Sequence, residues 1–263
     1  MKTLSVSIVV YKKYDDALFA IESIERFTES SLSKIIYVID NSGYTNSSPN
    51  KQAFIKEIQK YSDVKYLETG KNLGFGKGHN YVLPMLDSEF HAIVNPDIVL
   101  CSDAFSPLVE FLKNHDDVGM TAPILMDENN NVQRVYRRDL TVCDLITRYF
   151  CLPIFKKRID YHTMTDVDKT KDFECPFIQG SFLVLKTGLF KELKGFDDRY
   201  FMYAEDADLC RTVRKVNKIV VHPAAKVIHK WEKASHTSFK LMRIHFCSLM
   251  KYFNKWGWAW KKV

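Results

Sequence analysis

The chain has 263 residues, is 46% hydrophobic and 13% aromatic, and carries a formal charge of +6. That is enough apolar material for one large or two small cored domains, and it excludes a disordered or fibrous chain. The charge is uneven: from Lys226 onward nine Lys or Arg face the single acid Glu232, a net of +8 against −2 for residues 1–225, so the basic character belongs to the tail. No apolar run approaches the roughly 18 to 20 residues that span a bilayer, and residues 4–11 lack the flanks of a signal segment. Six scattered cysteines (Cys101, Cys143, Cys151, Cys175, Cys210, Cys247) form no Cys-x-x-Cys pair, so reduced thiols are expected. Together these features predict a cytoplasmic protein, in solution or bound to a membrane from its cytosolic side.

In chain order, "LSVSIVVY" (4–11) reads as a strand, "DDALFAIESIERF" (15–27) as a helix with Leu18, Ile21, Ile24 and Phe27 on its apolar face, and "KIIYVID" (34–40) as a second strand. "AFIKEIQKY" (53–61) predicts a helix, "VKYLE" (64–68) a strand, "GHNYVLPML" (78–86) a helix interrupted by Pro84, and "FHAIVN" (90–95) a strand. Strands alternating with helices imply crossover units, hence an α/β fold with a mostly parallel central sheet and helices on both faces. "VGMTAPI" (118–124) predicts a strand; 125–172 are irregular, with a helix over 141–150. "PFIQGSFLVLK" (176–186) predicts one strand, "TGLFKEL" (187–193) a short helix and "EDADLCRTVRKV" (205–216) a firmer one. "KIVVHPAAKVIHK" (218–230) reads as extended and 237–256 as a basic, aromatic helix.

Ligands in such sheets bind outside the carboxyl ends of the strands, which singles out Tyr11, Asp40 and the turn Asn95-Pro96-Asp97. A carboxylate held in that crevice suits a divalent cation, whose shell water and phosphate complete; equally, Asp97 could close the turn or cap the next helix near Asp103. Asp40, in "VIDNSG", reads as a ribose or base acceptor or as a turn former. "GKNLGFGKGHN" (70–80) packs four glycines before a helix without matching a phosphate-loop pattern. In "GFDDRYFMYAEDADLCRT" (195–212) Glu205, Asp206 and Asp208 open a helix, where carboxylates are favoured in any case. Helical spacing puts Glu205 near Asp208 and Asp208 near Arg211 as a structural network, and leaves Asp206 with Leu209 and Cys210 on the cleft side, where a general base is useful. His229 closes an extended run and reads as structural or as a ligand beside a carboxylate.

These segments in this order resemble the family 2 inverting glycosyltransferases of the GT-A fold, within them the bacterial rhamnosyltransferase-like group, over residues 4 to about 255. The resemblance implies a catalytic domain over 1–230, with a nucleotide-sugar half (1–100) and an acceptor half (101–230), and a basic aromatic helical extension over 231–263. It implies donor contacts from Tyr11, Asp40, Asn72, Gly74, Phe75, Gly76 and Asn95, with Mn²⁺ or Mg²⁺ on Asp97 and His229. Asp206 would be the catalytic base, and Gly180, Ser181, Tyr203 and Glu205 would border the acceptor. The implied reaction moves L-rhamnose from dTDP-rhamnose to a polyprenyl-diphosphate-linked saccharide in bacterial surface polysaccharide synthesis; a UDP-hexose donor is the alternative. Two departures stand out: Val10-Tyr11-Lys12 where relatives commonly carry Thr or Ser, an aromatic and Asn, and Asn95 in place of the first acid of Asp-x-Asp. "MKYFNKWGWAWKKV" (250–263) interleaves Lys251, Lys255, Lys261 and Lys262 with aromatic residues, which suits an anionic membrane surface on the cytosolic side or a helix packed on the domain. A nucleic-acid-binding module would use the same tail but leaves the cleft acids without a role, and no nucleic-acid partner is expected; a catalytically silent nucleotide-sugar-binding subunit is the third reading.

Overall fold

Apolar strands alternating with amphipathic helices set the order of elements in the computed structural model, which describes residues 2–43, 48–150, 153–230 and 239–260. Cys151, residues 231–238, Lys261 and Lys262 lie outside the described residues. The first half comprises β1 (Lys2–Val10), α1 (Tyr14–Phe27), β2 (Lys34–Asp40), α2 (Pro49–Ile58), β3 (Val64–Glu68), α3 (Phe75–Asn80), a 3₁₀ turn at Leu83–Met85, β4 (Ser88–Val94) and β5 (Ile98–Leu100). Then come α4 (Phe105–Asn114), β6 (Val118–Met126), β7 (Tyr136–Arg137), α5 (Val142–Phe150), α6 (Lys156–His162), β8 (Phe173–Glu174), β9 (Phe177–Ile178) and β10 (Phe182–Lys186). The chain closes with α7 (Thr187–Glu192), α8 (Glu205–Val213), β11 (Lys218–His229) and α9 (Phe239–Trp256).

One sheet runs β3-β2-β1-β4-β10-β6-β11-β5, with β8 added on β11. Strands β3, β2, β1 and β4 are parallel, as crossover helices require. Parallel pairing returns between β6 and β11, whereas β10 is antiparallel to β4 and β6, and β5 to β11. That reversal positions the site. The carboxyl ends of β1, β2 and β4 face one edge, and antiparallel β10 brings its start to the same edge, Phe182 lying opposite Val94. The expected single strand over 176–186 is therefore a correction: β9 leaves the sheet to pair with β7, Gly180 and Ser181 turn, and β10 enters. Because β4 pairs directly with β10, the two expected halves share one sheet.

Helices α1 and α4 cover one face, where Ile21 and Ile24 are fully buried and Phe105 stacks on Phe182 at 5.0 Å. Each such side chain contributes about 1.5–3 kcal/mol. On the other face the alternation of "LSVS" points Ser5 and Ser7 beneath α3 and α7. Buried hydroxyls need partners. Histidines provide them: Ser7 Oγ lies 2.7 Å from His79 Nδ1, and Ser5 Oγ 2.8 Å from His91 Nδ1. Burial pushes both imidazoles below their ordinary value, His91 to about 3, so they are neutral packing groups.

Candidate active site

The turn after β4 follows from its proline. Pro96 has no N–H to extend the ladder, so the chain bends at Asn95, whose N–H donates to the Ser181 carbonyl (2.8 Å), and β5 leaves to pair with β11. That register sets Ile98 opposite His229 and brings Asp97 Oδ1 to 3.5 Å from His229 Nε2. The cap of α4 is Asp103, which accepts from the Phe105 and Ser106 N–H groups (2.9 and 3.1 Å), so Asp97 is not needed there. Asp97 Oδ1 is buried without a hydrogen-bond partner among the described residues. A buried carboxylate oxygen facing an imidazole nitrogen fits a divalent cation. Among the described residues no group of three or more His, Cys, Asp and Glu is placed to bind one, so the protein would give two ligands and leave the rest of the shell to phosphate and water. Asn95 Oδ1 and Ser181 Oγ, just past β4 and just before β10 at the same corner, are likewise buried without hydrogen-bond partners among the described residues.

Helix α8 starts from strained backbone: Tyr203 and Ala204 have φ of +71° and +65°, conformations that cost side-chain-bearing residues about 1–3 kcal/mol each. The kink buries Glu205 and leaves Asp206 partly exposed. Asp206 accepts from its neighbour's N–H at Ala207 (2.8 Å) and from the Gly180 N–H (3.2 Å). Gly180 is next to Ser181, so a single elbow carries the Asp206 contact on one residue and the Asn95 contact on the other. A Cβ at Gly180 would come within 3.3 Å of both Phe75 and Asp206.

The two acids divide one proton between them. Burial pushes Glu205 up to about 8, and the charge of Asp206 adds to this; its Oε2 has no partner among the described residues. Burial raises Asp206 as well, but the Ala207 and Gly180 N–H groups and the positive charge of Arg137 oppose the rise. Glu205 therefore holds the proton more firmly, and Asp206 is the more readily ionised of the two. Below the ordinary glutamate value of 4.5 folded and unfolded chains both bind that proton, and up to about 8 only the folded chain does, so Glu205 makes stability fall as pH rises through that window. Glu205→Gln is expected to flatten the slope, measurable by urea unfolding across the window; an unchanged slope would show that Glu205 is ionised.

The glycine-rich segment serves backbone approach. Gly74 has φ +85°, and a Cβ there would stand 1.9 Å from the Phe201 carbonyl oxygen, which accepts from the Phe75 N–H at 2.9 Å. Asn72 closes the turn by accepting from the Gly74 N–H (2.9 Å), and Asn41 donates to the Gly74 carbonyl (2.8 Å). Gly76 packs on Phe196. This loop, bound to Phe201 and to Asn41, joins the β2 end to the segment that leads into α8. Tyr11, just past the end of β1, is 49% exposed. Asp40 is 1% exposed: it accepts from Tyr14 (3.1 Å), Tyr66 (2.5 Å) and the Ser42 N–H (2.7 Å), with Lys51 at 3.5 Å. Burial alone would raise its carboxyl, yet these hydrogen bonds hold it below the ordinary range. Asp40 is thus a buried, ionised acceptor held at the end of β2.

Comparison with known proteins fits this geometry. The profile of the family described as "Glycosyl transferase family 2" matches residues 5–194. The chain belongs to this family. It is 27% identical over 210 residues to the N-acetylglucosaminyl-diphospho-decaprenol L-rhamnosyltransferase of Mycobacterium tuberculosis, covering 74% of this chain and 66% of that protein, just under two thirds of its length. It is 26% identical over 214 residues to rhamnosyltransferase WbbL of Escherichia coli, covering 77% and 79%. Among solved structures, GalNAc-T7 with UDP, GalNAc and Mn²⁺ superposes with a TM-score of 0.68 (16% identity, 89% of this chain, 44% of that one). Mannosyltransferase PcManGT of Pyrobaculum calidifontis with GDP-Man and Mn²⁺ gives 0.66 (14%, 97% and 64%). The fold is therefore GT-A, as the resemblance implied.

Three features of this family 2 chain escape its local sequence pattern. Asp208 does not pair with Arg211; it meets Lys255 (2.7 Å), the Trp256 indole N–H (2.7 Å) and Tyr200 (3.3 Å), which corrects the expected network and fixes α9 to α8. Consequently Tyr252 and Phe253 are buried against the protein and Lys255 pairs with Asp208, whereas Trp258 and Trp260 of the same tail stay exposed. Tyr203 packs against His245 of α9, the ring centroids 4.8 Å apart and the planes tilted by 43°. The third is Gln133, whose amide grips His229 from the β6–β7 loop. None of these has a local signal, because Lys255, Trp256, His245 and His229 each lie tens of residues from the side chain they meet.

Proposed function

We propose that this chain is an inverting, metal-dependent glycosyltransferase that moves L-rhamnose from dTDP-rhamnose to a polyprenyl-diphosphate-linked saccharide during bacterial surface polysaccharide synthesis. The observation that carries the reading is the elbow at Gly180 and Ser181, with the base Asp206 on one side and the Asn95–Asp97 turn with His229 on the other. Names of the mycobacterial and E. coli relatives support the donor sugar and the lipid-linked acceptor. Asp206 takes the acceptor hydroxyl's proton as that oxygen bonds to the anomeric carbon. The carbon–oxygen bond to the diphosphate breaks on the opposite face and the nucleotide leaves with the electron pair, so the configuration inverts. Held by Asp97 and His229, a divalent cation would neutralise charge on the diphosphate. Asn72, the 74–76 loop and exposed Tyr11 shape the donor side, with Asn95 at its floor; Gly180, Ser181, Tyr203 and neutral Glu205 border the acceptor. The test is thermal stabilisation and sugar transfer with dTDP-rhamnose, UDP-sugars and GDP-sugars, with and without Mn²⁺. Metal-dependent stabilisation and turnover with dTDP-rhamnose supports the reading; turnover only with a UDP-sugar reassigns the donor, and none with any donor removes the activity.

The same reading puts the protein on the cytosolic face of the plasma membrane. Among the described residues no helix is long and apolar enough to cross a membrane. On α9, however, Phe239 (79% exposed), Met242, Phe246 (62%) and Met250 form one apolar stripe beside Lys240, Arg243 and Lys251, and residues 239–260 contain no acid. This pattern suits a helix lying on an anionic lipid surface. Phe246→Glu is expected to reduce co-sedimentation with anionic vesicles while leaving transfer to a water-soluble acceptor unchanged; equal vesicle binding would remove α9 from the contact. A truncation after Met250 would be less clean, because it also deletes the docked Tyr252, Phe253, Lys255 and Trp256.

A further inference from the structure

In the proposed function Asp97 and His229 are the cation ligands, and the role of Gln133 rests on that assignment. Gln133, 96 residues before His229, touches it twice. Its Nε2 donates to the His229 backbone carbonyl (2.8 Å), and its Oε1 lies 2.8 Å from His229 Nδ1. A carbonyl oxygen only accepts, so the first bond fixes which end of the amide is nitrogen. Oε1 also only accepts, so Nδ1 must carry the hydrogen. In a neutral imidazole the lone pair then sits on Nε2, the atom 3.5 Å from Asp97 Oδ1. Two electron-pair donors facing each other at that separation repel until a cation comes between them. We infer that Gln133 is a positioning residue for the metal: its two-point grip fixes the His229 tautomer and ring, so that Nε2 and Asp97 Oδ1 present a matched pair of ligands. Groups that orient ligating histidines in this way typically change metal affinity about 10–100-fold when removed. Without the grip, the ring can place its hydrogen on Nε2 and donate it to Asp97, closing the pair on itself.

The experiment uses the full chain and Mn²⁺ alone, followed by loss of the free-ion electron paramagnetic resonance signal, together with ¹⁵N-histidine NMR, which distinguishes Nδ1–H from Nε2–H. In metal-free wild type, His229 is expected as the Nδ1–H tautomer. In Gln133→Met, of similar size but without the amide, it is expected as Nε2–H, with Mn²⁺ binding weakened about 10–100-fold and a thermal midpoint in EDTA close to wild type. An Nε2–H tautomer in the wild type overturns the inference whether or not the variant folds. So does a loss of Mn²⁺ binding that comes with a matching fall of the EDTA midpoint, which makes Gln133 merely structural. Binding that Asp97→Ala loses and Gln133→Met keeps overturns this inference alone; a wild type that binds no Mn²⁺ overturns both it and the metal part of the proposed function.

Discussion

Asp206→Asn is expected to lower turnover by about 10²–10⁴-fold, the range a positioned general base contributes, while donor affinity stays near wild type. The substitution is nearly isosteric, and an amide oxygen can still accept from the Gly180 N–H that now holds Asp206 at 3.2 Å. What it cannot do is take a proton. Loss of the Asp206 charge also removes one of the two causes that raise Glu205, so Glu205 should titrate lower in the variant. Residual activity of Asp206→Asn that depends on Glu205 would then rise with pH, and Asp206→Asn/Glu205→Gln should abolish it. In the wild type, burial places the base limb of kcat/KM above the ordinary aspartate range. Transfer kinetics and donor titration calorimetry on the single and double variants check each of these outcomes. Turnover near wild type in Asp206→Asn would take the base role from Asp206, and loss of donor binding would show that the side chain shapes the pocket instead.

How far the sequence carries depends on the range of the deciding interaction. Residues 34–40 coincide with β2, because a buried strand is a nearly uninterrupted apolar run, and 64–68 with β3, a half-buried edge strand in which Val64, Tyr66 and Leu67 are interrupted by Lys65. The acids at strand ends are legible for the same reason: a charge after such a run has to leave the core. Asp97 and Asp206 can be singled out, but the elbow joining them cannot. The polar Gln179-Gly180-Ser181 is short enough to read as part of one strand between Phe177-Ile178 and Phe182-Leu183, but the chain turns there to aim the Gly180 N–H at a carboxylate 26 residues on. Asp40 shows the converse limit. Its position at the end of β2 is local and correct, whereas its burial depends on Tyr14, Tyr66 and Lys51, which three other segments bring to it. Spacing likewise gives Asp208 a partner one turn away, although the groups that reach it are Lys255 and Trp256 of α9 and Tyr200.

Asp208→Ala is the second large effect, on stability. Asp208 is 2% exposed and gathers Lys255, the Trp256 indole and Tyr200. Alanine leaves the indole N–H and the tyrosine hydroxyl without this acceptor and takes one of two carboxylates from Lys255. Removing one partner of a buried pair costs about 3–5 kcal/mol. Lys255 is 26% exposed and keeps Asp197 at 2.9 Å, which argues for the low end, about 3 kcal/mol, or a fall of roughly 6–12 °C in Tm. Asp208→Asn should fall between, since its amide oxygen still accepts from Trp256 but offers no charge to Lys255. Activity should also respond. Asp208 lies two residues beyond Asp206 on α8, and Arg211 on the same helix stacks on the Trp256 ring at 4.8 Å, so loosening α9 lets the start of α8 shift relative to Gly180. The expected signature is a fall in kcat with donor KM little changed, read beside Tm from the same preparation. An unchanged Tm would mean that the apolar contacts of Leu249, Tyr252 and Phe253 hold α9 unaided, and would leave the Asp208 carboxylate to orient α8 rather than to bind the two helices together.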